Sequence, residues 1–156
     1  MRTVVSCILA VVMCFVLMGA KACNSTDPYG TAAKASYDIA AVVHTGADTT
    51  DQLRVQGTIT KDDEKLVLEV MSNVTDLNKT YQGCIASVHT STQAATAYLG
   101  CASTFSSTVG SPAFLSNFQI KNPQALAKAQ SIVTDVQSAL QLAITSIQAY
   151  QAPAKP

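Results

Sequence analysis

The chain has 156 residues, ten of them basic and ten acidic, so its formal charge at pH 7 is zero. That balance gives no sign of the basic surface that a phosphate backbone or an anionic membrane face requires, and nucleic acid is not an expected partner. The few charges are also unevenly placed: no Lys, Arg, Asp or Glu occurs from Thr80 to Ile120.

Arg2 is the only charged residue before Lys21, and Val4 to Met18 is apolar except for Ser6. A basic start followed by a hydrophobic core of about 15 residues fits a secretory signal better than a membrane-spanning helix of roughly 20. Ala20-Lys21-Ala22 supplies the A-x-A pattern of a cleavage site. It predicts a signal peptide over residues 1–22, with Cys23 as the first residue of the mature chain.

The stretch from Ala20 to Cys23 resembles the lipobox of bacterial lipoproteins, in which the thiol is acylated and the chain is cut just before it. Leu17 stands six residues before the cysteine, where that family prefers an aliphatic residue three or four before. The resemblance implies lipidation of Cys23, attachment to a membrane through that lipid, and a place in the bacterial cell envelope. Ordinary cleavage followed by free secretion is the alternative.

Cysteine arithmetic bears on the same choice. Cys7 and Cys14 leave with the signal, so the mature chain keeps Cys23, Cys84 and Cys101, an odd number in an oxidising compartment. If Cys23 carries lipid, Cys84 and Cys101 pair with none left over.

Without the leader, 134 residues remain, the length of one domain that can bury a core without a metal. Asn24 to Gly30 is turn-rich and is expected, with Cys23, to be a tether over residues 23–30. The triplets at Asn24, Asn73 and Asn78 would be glycosylation acceptors in a eukaryotic secreted protein.

Residues 31–152 are expected to form an all-α domain, a small antiparallel bundle of three to four main helices. In the first helix, over residues 31–56, Ile39, Val42, Val43, Gly46, Thr50 and Leu53 share a stripe. Gly46 marks a plausible bend, and Gly57 suits the left-handed cap. Thr60 is a natural cap for the second helix, with Asp62, Asp63 and Glu64 at the positive end of its dipole. Val67, Val70, Val74, Leu77, Tyr81, Cys84 and Val88 then follow at alternating steps of three and four, the seam of helices packed at shallow angles.

On one unbroken helix Cys84 and Cys101 would lie about 25 Å apart, whereas a disulfide needs α-carbons within about 7 Å. Their pairing therefore requires the chain to reverse near residues 89–94, and Thr90 with Gln93 resembles a capping box that restarts a helix there. The third helix, about residues 91–107, is apolar around most of its circumference and is expected to sit centrally. Phe114, Leu115 and Phe118 are expected to tuck under the long connection from Thr108 to Lys121. Asn122 and Pro123 open the last helix. Its seam runs through Leu126, Ala129, Val133, Val136, Leu140, Ala143, Ile147 and Tyr150, with Lys128 and Asp135 on the solvent face and Pro153 beginning a short tail, residues 153–156.

Chemistry is sparse. His44 and His89 are the only histidines, and no catalytic, phosphate-binding or zinc-spaced motif is present. No cofactor, metal site or catalytic residue is expected; an enzyme would need His44 or His89 in a cleft beside a carboxylate, as the fold could provide by gathering Asp38, His44 and His89. The function expected is therefore a non-catalytic structural or binding role. The uncharged segment from Thr80 to Ile120 reads first as a buried helix with a neutral polar rim, and otherwise as the candidate face for a protein partner or self-association.

Overall fold

The computed structural model describes residues 27–151, and the expected leader, cleavage point, Cys23 and the residues after 151 lie outside them. Five helices and no strand occur among the described residues: α1 (Pro28–Val55), α2 (Lys61–Ser91), α3 (Ala95–Val109), α4 (Pro112–Ser116) and α5 (Pro123–Gln151). The four longer ones form an up-down-up-down bundle in which α1 packs on α2, α2 on α3, α3 on α5 and α5 back on α1. The all-α antiparallel bundle expected from periodicity is the fold observed.

α1 starts three residues earlier than its periodicity indicates. The Asp27 carboxylate accepts from the Gly30 amide at 2.7 Å and Pro28 fills the first turn, so the tether gives up Pro28 to Gly30. Local capping chemistry decides that start: a short acceptor side chain before a proline satisfies a freed amide and presets φ. At the other end Gly57, at φ 71°, lets the Thr58 amide reach the Leu53 carbonyl and its own amide reach that of Arg54. This pair of bonds is the Schellman arrangement.

The helix does not break at Gly46. α1 runs through it, and a β-carbon there would stand 3.2 Å from Ile132 and 3.3 Å from the Met71 sulfur. The missing side chain thus lets α2 and α5 close on α1 rather than breaking it.

α2 opens on a complete capping box. The Thr60 hydroxyl accepts from the Asp63 amide at 3.2 Å while the Asp63 carboxylate accepts from the Thr60 amide at 3.0 Å. Asn122, which caps α5 by accepting from the amides of Gln124 and Ala125, also donates to Asp63 at 2.9 Å. Two parallel helices on the bundle's diagonal are thereby registered at one end.

The core is aliphatic, centred on Ile39, Val67, Val70, Val74, Val136, Leu140 and Ile147, none more than 0% exposed. α3 is about 22 Å long against about 45 Å for α2. The residual space at its far end is covered by α4 and the partly buried Phe114, Leu115 and Phe118, with Ile59 and Ile120 buried beneath. α3 itself occupies a corner, not the centre: Tyr98, Cys101, Ala102, Phe105 and Val109 face inward while Gly100, Ser103, Thr104 and Ser107 face water. Alanine and glycine satisfy a buried or an exposed site equally, so their number made the helix look more apolar than its packing is.

Candidate functional site

The disulfide organises the surface with the strongest claim to a role. Cys84 on α2 and Cys101 on α3 are bonded, with α-carbons 5.9 Å apart. The reversal this requires lies at residues 92–94, inside the expected window. The expected capping box does not form. α2 continues through Ser91 because the hydroxyls of Thr90 and Ser91 bond back to carbonyls of their own helix, and the turn is made by Gln93 at φ 51°.

Along the outer side of this hairpin runs a shallow groove of about 260 Å3. Leu77, Tyr81 and Val88 wall it on α2, Gly100, Thr104 and Phe105 wall it on α3, and the disulfide crosses it near mid-length. Cys84 is exposed there and Cys101 is 5% exposed. Except for Leu77 its walls belong to the uncharged segment from Thr80 to Ile120, so its only polar groups are hydroxyls and backbone.

A second cluster closes the end of the bundle where α1 begins. The Tyr29 ring stacks on His89 with centroids 4.0 Å apart, and the Tyr98 hydroxyl lies 3.4 Å from His89 Nδ1. Burial raises the Tyr98 phenol above its ordinary pKa, and the nearby Asp27 and Tyr29 add to the shift. These contacts clasp the first turn of α1 to the α2–α3 hairpin.

Asp38, His44 and His89 are not gathered. Asp38 pairs with Lys34 at 2.6 Å, and exposed His44 lies 3.7 Å from Asp48. His89 lies against Tyr29, 15 residues from His44 along α1, which is about 22 Å of helix. Among the described residues no group of three or more His, Cys, Asp or Glu side chains could hold a metal. Asp63 is held below the usual carboxylate range, first by the Thr60 amide, then by the Thr60 hydroxyl and Asn122. That shift accompanies helix capping, the structural role expected of the acidic trio.

One polar layer was not foreseen. Asn78 on α2 donates to the Ser36 carbonyl of α1 at 3.0 Å, Gln82 donates to the Ser36 hydroxyl at 2.8 Å, and Tyr81 donates to the Ala32 carbonyl at 3.1 Å. Burial raises the Tyr81 phenol far above its ordinary range. Asn78 is 5% exposed, so its triplet is closed to glycosylation in the folded chain, whereas Asn73 is exposed. On α5 the seam is broader than expected, with Ala125 and Ile132 also buried, while Tyr150 is 42% exposed. Lys128, expected on the solvent face, is partly buried, and burial lowers its pKa.

No described helix is long and apolar enough to cross a membrane. Comparisons with protein families, curated proteins and solved structures return no match.

Proposed function

We propose that this is an exported, lipid-anchored helical-bundle protein of the bacterial cell envelope with a non-catalytic structural or binding role. The observation that carries the reading is Cys23 at the A-x-A cut, after a basic start and an apolar run. Support comes from the cysteine pairing: Cys84 and Cys101 are bonded to each other, the pairing expected if Cys23 carries lipid. The clasp at Tyr29 is consistent with a pull exerted from the N-terminal side, because it ties the first turn of α1 to two other helices.

Replacing Cys23 by serine and following partition between membrane and soluble fractions tests this. The wild-type chain is expected in the membrane fraction and the Cys23→Ser chain in the soluble one; identical partition of the two would refute anchoring. The second reading is a freely secreted binding module, such as an inhibitor, and the uncharged groove between α2 and α3 is what favours it.

A further inference from the structure

The α2–α3 groove is selective by virtue of what its walls lack. Its lining is almost wholly apolar, and Gly100 leaves part of it vacant: a β-carbon there would meet nothing within 4 Å. From Leu77 to Val88 the groove follows α2 for about 16 Å. An extended alkyl chain laid along it would take the partly exposed Leu77 and Val88 out of contact with water, the favourable direction for apolar surface. A free fatty acid would bring a carboxylate to walls that offer no cation, and an unpaired charge at an apolar site is costly. Acyl chains joined through esters or amides carry no such charge.

The position of the groove says where such a chain would come from. Its near end is lined by Val88 and Ala97, the sequence neighbours of His89 and Tyr98, and Tyr29 packs against both of those residues. Cys23 precedes Asp27 by four residues, a span of up to about 14 Å when extended, and the lipid's linker adds to that reach. His89 packs against Tyr29 of α1, while its neighbour Val88 faces the groove.

We propose that the groove receives one acyl chain of the lipid on Cys23 while the protein is in water. This rests on the anchoring reading above. The groove covers a chain on one side, whereas a bilayer surrounds it, so the bilayer wins once it is reached. The groove shields the chain during passage through water.

The test has two arms. In the first, full chain carrying Cys23→Ser is exported, labelled with nitrogen-15 and titrated with monodecanoyl glycerol, a neutral acyl probe. Saturable shifts of the Gly100 and Thr104 amides are expected, weakened at least ten-fold by Gly100→Leu, with Thr104→Leu as a second groove-filling variant and circular dichroism confirming unchanged helicity. Absence of saturable shifts, or shifts indifferent to both variants, overturns the proposal. In the second, lipidated wild type and lipidated Gly100→Leu are partitioned between water and phosphatidylcholine vesicles. The variant is expected to be several-fold more vesicle-bound, and equal partition overturns self-occupancy. Failure of the anchoring reading is seen separately, as a Cys23 that carries no acyl mass.

Discussion

Only one of the two polar atoms of the Asn78 side chain has a partner. Its amide nitrogen reaches Ser36, but its buried Oδ1 finds no partner, and a buried unpaired acceptor costs about 1–3 kcal/mol. The Ser36 carbonyl lies inside α1, where helical bonding already uses it. Asn78→Leu is therefore expected to hold stability within about 1 kcal/mol or to raise it, as read by urea unfolding; a loss well beyond that would mean the amide is more valuable than its geometry indicates. Asp63 gives a prediction in pH. Because its folded pKa is lowered, its contribution is fully present above the ordinary aspartate range, near about 4, and is lost as pH falls through the folded value below that. The difference in melting temperature between wild type and Asp63→Asn should close on acidification below that range, and a difference constant with pH would contradict the assignment. Thr60, Asp63, Gly57 and Asn122 were all legible in the sequence, because a cap is specified within four residues. Asp27-Pro28 follows the same logic as Asn122-Pro123 and was masked by its turn-rich neighbours. Asn78 was illegible because its partner is 42 residues away.

At the scale of elements, α3 is the weak member. It is half the length of its neighbours, its N-cap position is Ala94 with no side-chain bond, and its outer face is small and polar. The disulfide compensates by limiting the unfolded chain: closing a loop of 17 residues contributes about 3 kcal/mol on the loop-entropy account. Replacing both cysteines by serine should cost about that amount. Hydrogen exchange should show the α3 amides losing protection first, with α5 least affected; uniform loss across all helices would contradict this ordering. The seams of α2 and α5 were readable because valine, leucine and isoleucine declare an inward face through hydropathy. The corner position of α3 is not legible in its sequence because alanine, glycine and threonine declare neither face. The continuation of α2 past His89 was hidden for a related reason: Thr90 and Ser91 cap helices in some settings and bond back to their own helix in others.

For the whole molecule, the up-down order places the start of α1, the α2–α3 turn and the end of α5 at one end of the bundle. The clasp of Tyr29, His89 and Tyr98 is at that end, and the groove opens beside it. A chain entering there would hold the bundle by one pole, leaving its length free to meet partners. The fold class followed from periodicity alone, since two long three-four seams admit few other packings. The groove did not, because it depends on which way α3 rolls and on an unfilled position at Gly100.

The mass of the mature N-terminus tests the central claim most directly. A chain beginning at Cys23 and heavier than its amino-acid composition by the several hundred daltons of acyl groups is the expected result. A chain beginning at Cys23 with no added mass, or one that still begins at Met1, would contradict it.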